Sequence, residues 1–258
     1  MLMFQYTLYS HYATIALYAL ALLASPLMRK RAAIAISAAF AGFTVQLALL
    51  IARWVSAGFL PVTGLFSTLH FLTIFAVGIT LYFSIRYKAT NLIPATMLVT
   101  LLALWKAGQG DMNLAPLTPA LDTPLFFLHV STSFAAYGLF EVGAIVALYR
   151  LIGFPASTSG MERRMLDECI YLGYILFSWC MIAGSLWAYL AWGSYWTWRI
   201  KGLWSTLLWF YYSGLIHVRN RPKWQNTPLN LLTIAGFGLV LFTFLGLGLL
   251  FETSHPLK

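Results

Sequence analysis

The chain has 258 residues, 60% of them apolar and only 9% charged, with a formal net charge of +9. A soluble domain carries about 25% charged residues, so the composition excludes a water-soluble globule and indicates an all-α polytopic membrane protein. The positive charge lies in short stretches between long apolar runs, which is the pattern of topology control and not of nucleic-acid binding.

A membrane span needs about 20 mainly apolar residues, and lipid offers no partner for backbone polar groups, so every span should be helical. Eight such runs are predicted, at roughly 5–28, 33–57, 64–85, 91–106, 124–150, 169–191, 203–218 and 229–251, the fourth being short. The first run lacks a basic n-region and a small-residue cleavage site, so it reads as a retained span rather than a cleaved signal. Alternate loops then collect Arg29, Lys30, Arg31, Arg86, Lys88, Arg150, Arg163, Arg164, Arg219, Arg221 and Lys223 on one side. Arg53, Lys106, Arg199, Lys201 and Lys258 fall on the other. The richer side belongs in the cytoplasm. Both termini, the loops 58–63 and 107–123, and the loop that carries most of the tryptophan are then expected outside.

The 107–123 loop is punctuated by Gly and Pro and reads as short irregular turns. The segment "MERRMLDE" before span six reads as a short interfacial helix. No internal repeat or low-complexity tract is visible, and the whole chain, 1–258, is expected to form a single transmembrane domain. Cys169 and Cys180 form no CxxC and read as free thiols.

The outer loop "WGSYWTWRIKGLW", residues 192–204, holds four tryptophans with Arg199 and Lys201 among them. His129 is predicted just inside the outer end of span five and His255 beyond span eight, on the same side. His217 falls at the cytoplasmic end of span seven, and His11 and His70 in the outer halves of spans one and three. Two imidazoles and a flat aromatic wall suit haem, whose iron takes axial His ligands, whose faces stack on aromatic rings and whose propionates pair with Arg or Lys. No HExxH, CxxC or outer carboxylate pair favours zinc. Tryptophan also anchors spans at membrane interfaces, so the residues alone leave an anchoring belt and a haem platform both open. His11 and His70 read as helix–helix hydrogen-bond partners. Arg53 reads as a snorkelling anchor, and Glu141, deep in span five, as a carboxyl bonded to a neighbouring helix.

The loop resembles the tryptophan-rich signature of the haem-handling cytochrome c assembly proteins, the CcsA/CcmC/CcmF family, matching through "WGSYWTW" and keeping Lys201 and Trp204. "ARWVSAGFLPVTGLFSTLHFL", "LHVSTSFAAYG" and "LIHVR" are similar to further family segments, and eight spans resemble the CcsA branch. The resemblance implies that His129 and His255 are outer axial ligands of haem b carried as cargo, over Trp192, Trp196, Trp198 and Trp204; Arg199, where the family has an acidic residue, reads from its charge as a propionate partner. It implies that His217 ligates a second, transmembrane haem site. It further implies attachment of haem to apocytochrome c as part of a cytochrome c haem lyase or synthase with no catalytic residue of its own. The implied partners are a CcsB-like subunit, apocytochrome c and a thioredoxin-like reductant. The implied place is a bacterial plasma (inner) membrane or a thylakoid membrane, with the active face periplasmic or lumenal. The family's acidic loop residues are replaced here by Arg199 and Gly202. That departure keeps a second reading open, a non-catalytic relative serving as a scaffold or regulatory subunit of a respiratory or haem-synthesis complex.

Overall fold

The computed structural model describes residues 2–24, 32–114, 116–157 and 160–246. Among these there is no strand. Eight α-helices follow in chain order: α1 (Leu2–Leu23), α2 (Ala32–Ala57), α3 (Leu65–Arg86), α4 (Leu92–Ala107), α5 (Pro124–Leu151), α6 (Glu162–Trp192), α7 (Ile200–Arg219) and α8 (Thr227–Leu241). A single π turn, Phe242–Gly246, continues α8. Among the described residues, five helices are long and apolar enough to cross a membrane: α2, α3, α5, α6 and α8 with its π turn. This is a helical membrane protein.

Local chemistry sets the helix ends. Thr123 caps α5 by accepting from the Phe126 N–H at 3.2 Å, and Pro124 occupies the first helical position, where no backbone donor is needed. Gly193, at φ 71, closes α6 in the left-handed region, its N–H donating to the Tyr189 carbonyl at 2.8 Å.

The chain forms two compact units. The first comprises residues up to 116 together with 155–162 and contains α1–α4. Its core is built on small residues: Ala21, Ala35 and Ala39 are fully buried beside Tyr18, Val77, Ile93 and Met97. Gly42 lies against the Tyr18 ring, so close that a Cβ would meet Cε1 at 2.5 Å. Small residues bring helix backbones together where lipid supplies no hydrophobic drive. The segment 155–157 is fastened to this unit by Asn91 Nδ2, which donates to the Pro155 carbonyl at 2.7 Å, and by Ser157 Oγ, which donates to the Tyr87 carbonyl at 2.5 Å.

The second unit comprises 117–154 and residues from 163 onward, and contains α5, almost all of α6, α7 and α8. Phe140 of α5 stacks on Tyr212 of α7 at 3.6 Å. Gly143 of α5 abuts the Cys169 side chain of α6, and Gly236 of α8 abuts the Tyr211 and Tyr212 rings. Both cysteines are buried and free, as the sequence indicates.

Three sequence expectations are corrected. "MERRMLDE" is not a separate interfacial helix but the first turns of the 31-residue α6. Arg163 pairs with Asp167 and Arg164 with Glu168 at i,i+4, which carries the helix past the end of its apolar run. Arg53 does not snorkel. It is 3% exposed and donates to the Met112 carbonyl at 2.6 Å, to Thr7 Oγ1 at 3.2 Å and to Ser67 Oγ at 3.3 Å. Glu141 is buried as expected, but its Oε1 has no hydrogen-bond partner among the described residues.

Candidate functional site

His129 sits in the second turn of α5, and α6 determines its orientation. Nδ1 lies 2.9 Å from the Cys180 carbonyl and 3.3 Å from Cys180 Sγ. A carbonyl only accepts, so Nδ1 carries the proton and donates to it. In the neutral ring Nε2 is then the basic nitrogen, free to bind a metal. This is how metal-binding histidines are usually held, with the second ring nitrogen donating to a carbonyl or carboxylate. The close approach depends on Gly184, where a Cβ would lie 2.5 Å from His129 Nδ1.

An aromatic row runs from His129 to the tryptophan-rich loop. His129 lies nearly parallel to Trp187, centroids 6.0 Å apart and planes 19° apart. Trp187, 3% exposed, donates from Nε1 to the Ala120 carbonyl at 2.6 Å, contacts Phe126 at 5.1 Å and meets Trp192 edge-on at 4.8 Å. Trp187 therefore links the predicted ligand to the first loop tryptophan. From sequence alone Cys180 reads only as a free thiol, and neither Trp187 nor Gly184 stands out. Their signal was the 180, 184, 187 spacing, which puts all three on one face of a helix.

The remaining loop residues are more open. Trp192 is 52% and Trp198 71% exposed, and Trp196 meets Trp198 edge-on at 6.4 Å. Trp196 Nε1 is buried without a partner among the described residues. Trp204 is in the first turns of α7 and packs edge-on against Phe242 at 4.6 Å. Arg199 is exposed and takes the N-cap position of α7 in extended conformation, with no side-chain cap bond. Lys201 is partly buried in the first turn of α7, and burial lowers its ammonium from the ordinary value. Gly202 packs directly against the Thr197 carbonyl, leaving no room for a Cβ. Restoring the family's acidic residue by Gly202→Glu is therefore expected to break this turn. Loop-tryptophan fluorescence should shift in that variant, whereas Arg199→Asp, at an exposed position, should leave the emission unchanged.

His217 is exposed near the C-terminal end of α7. Beside it, Asp167 of α6 accepts from Arg163 Nε and from Arg219 Nε, each at 3.1 Å, and Arg219 Nη2 also pairs with Asp167 Oδ2. Arg219 lies over the Tyr171 ring at 4.2 Å, and Arg163 Nη2 donates to the Arg219 carbonyl at 3.1 Å. This clamp joins α6 to α7 at the His217 end. His255 lies outside the described residues. His11 and His70 fall in the first unit and bond to each other, Nδ1 to Nε2, at 2.9 Å. No group of three or more His, Cys, Asp or Glu side chains able to hold a metal ion occurs among the described residues.

The profile of the family described as "Cytochrome C assembly protein" matches residues 8–255. Three similar proteins carry the name "Cytochrome c biogenesis protein CcsA". That of Guillardia theta is 27% identical over 238 residues, covering 79% of this chain and 78% of its own. That of Thermosynechococcus vestitus is 26% identical over 265 residues, with coverage of 80% and 81%. That of Mesostigma viride is 26% identical over 253 residues, with coverage of 84% and 83%.

Proposed function

The chain belongs to the cytochrome c assembly protein family, and on that premise we propose that it is a CcsA-like subunit of cytochrome c biogenesis that holds haem b at the outer membrane face. Haem is its cargo, presented for covalent attachment to apocytochrome c. The observation that carries this reading is the state of His129. Its Nδ1–H is committed to the Cys180 carbonyl, and Nε2 is left as a ligand nitrogen. Trp187, buried against the imidazole, links His129 to Trp192, whose exposed ring begins the aromatic surface on which a porphyrin face would rest. His255 is the second ligand in this proposal, and Trp196, Trp198 and Trp204 extend the platform. Arg199 is exposed and suits a propionate. His217 would serve a transmembrane haem site nearer the cytoplasm.

Joining haem to a cytochrome adds substrate thiols to haem vinyl groups, so the nucleophile comes from the client. The work left to this chain is positional: to hold a plane, exclude water and keep one ligand nitrogen aimed. No triad or general base is needed. The proposed partners are apocytochrome c, a CcsB-type subunit and a thioredoxin-like reductant. The proposed setting is a bacterial plasma membrane or a thylakoid membrane, with both termini and the loop on the periplasmic or lumenal side.

The second reading, a non-catalytic scaffold of a respiratory or haem-synthesis complex, is favoured by Gly202, whose position against the Thr197 carbonyl excludes the family's acidic side chain. Cytochrome c yield separates the two. In cells deleted for this gene, a His129→Ala allele expressed to the parent's level should restore less than about a hundredth of the parent's c-type cytochrome if ligand aim matters at the usual scale. Full restoration by the variant would leave the scaffold reading.

A further inference from the structure

The Cys180 side chain touches the same ring nitrogen as its own carbonyl. His129 Nδ1 lies 2.9 Å from the Cys180 carbonyl oxygen and 3.3 Å from Cys180 Sγ, so one residue of α6 presents two atoms to it. The carbonyl offers only lone pairs, which places the proton on Nδ1. A protonated Nδ1 has no lone pair left in the ring plane, so the thiol cannot donate to it. Sγ therefore meets the N–H with a lone pair of its own. The proton is shared between a strong oxygen acceptor and a weak sulfur acceptor.

The thiol hydrogen has to go elsewhere, and α5 supplies its partner. The buried Cys180 side chain interacts with the Ser133 hydroxyl. Ser133 Oγ donates its own proton to the Val130 carbonyl at 2.8 Å, so it has only lone pairs left for the S–H. The bonds then run one way, from His129 through Cys180 and Ser133 to a carbonyl of α5. Ser133 follows His129 by four residues, so the two lie on one face of that helix. The imidazole is held against the pair on both sides. Gly184 lies so close that a Cβ there would meet Nδ1 at 2.5 Å and Cε1 at 2.8 Å, and the Trp187 ring is nearly parallel to it at 6.0 Å.

We infer that the Cys180 side chain is a positioning residue that sets how strongly His129 Nε2 donates to haem iron, an inference that rests on the reading of His129 as a haem ligand. A bond accepted from one ring nitrogen fixes the tautomer and raises the basicity of the other. The carbonyl supplies most of that effect. The sulfur adds a second, weaker pull on the same proton. A carboxylate in its place would pull far harder, because a charge-assisted bond is about twice as strong as a neutral one. A weak, neutral acceptor suits a cargo that has to be held and then released.

The test uses the full chain in detergent with imidazole-15N histidine, first without haem and then loaded with hemin, for the parent and for Cys180→Ala, Cys180→Val and Cys180→Ser. All three variants keep the backbone carbonyl. Alanine and valine both remove the sulfur, one leaving space and the other refilling it, so a lost acceptor and a packing change are told apart. Without haem, nitrogen NMR should find His129 protonated on Nδ1 throughout, its signal identified by loss in His129→Ala. The Nδ1 resonance should shift in the same direction in the alanine and valine variants. With haem, the midpoint potential should become more positive in both, because a weaker axial donor stabilises ferric iron less. Serine retains lone pairs and should fall nearer the parent. Cys169→Ala removes the other buried thiol, roughly three turns away along α6, and should change neither reading. Parent values of both the Nδ1 shift and the potential in Cys180→Ala and Cys180→Val, in a chain whose haem spectrum depends on His129, would overturn the inference alone. Opposite shifts in those two variants would assign the effect to packing and overturn it as well. A haem spectrum indifferent to His129→Ala would overturn the ligand reading, and the inference with it.

Discussion

Gly184→Val is expected to reduce cytochrome c yield by about 100-fold, the scale on which a displacement of about 1 Å at a positioned group costs activity. The reason is steric. A Cβ at position 184 falls 2.5 Å from His129 Nδ1, so the imidazole has to leave the face of α6. With it goes the bond to the Cys180 carbonyl that holds the proton on Nδ1. Overpacking of this kind costs about 1–3 kcal/mol of stability, but the functional loss should exceed what that destabilisation explains, because Nε2 loses its aim. Gly238→Ala is the matched control. It lies in α8 with nothing within 4 Å of its Cβ position, and alanine is the better helix former by up to about 1 kcal/mol. Cytochrome c yield should fall only in the first variant, at equal amounts of membrane-inserted protein.

Asp167→Ala is expected to destabilise the second unit by about 2 kcal/mol, between the ≤1 kcal/mol of an exposed pair and the several kcal/mol lost when one partner of a buried pair is removed. Asp167 serves two arginines, and the Arg219 side chain is only 11% exposed. Its removal leaves both guanidiniums without that carboxylate and uncouples α6 from α7 near His217. Arg164→Ala breaks an i,i+4 pair one residue along, 3.6 Å long with its arginine 58% exposed, and should shift the thermal midpoint in detergent far less. Equal shifts for the two variants would remove the clamp from the account.

The helices were legible because the bilayer allows a chain little else. Long apolar runs with cations at their ends gave α2, α3, α4 and α5 to within a residue or two. The misreadings share a physical source. Hydropathy stops a span at its first charges, but Arg163, Arg164, Asp167 and Glu168 pair along one helix surface, and α6 continues through them. A cation near a span end usually reaches water, so the sequence by itself indicates an anchor at Arg53. Here Thr7, Ser67 and the Met112 carbonyl replace water, and no local pattern announces three partners from three separate segments. In the candidate site, His129 was visible as a lone imidazole in a family-like segment. Cys180, Gly184 and Trp187 were visible only as a stripe, since periodicity gives a face of a helix and not what packs on it. The Gly202 replacement, legible as a departure, acquired its physical meaning only from the Thr197 carbonyl it touches.

The central claim is that His129 Nε2 ligates haem iron. The most direct measurement is the reduced visible spectrum of the purified full chain in detergent after loading with haem, for the parent and for His129→Gly with and without added imidazole. The account predicts a sharp bis-histidine spectrum in the parent, its loss in the variant and its return with imidazole, which supplies the missing nitrogen in the space the side chain leaves. A variant spectrum identical to the parent's, with or without imidazole, would contradict it.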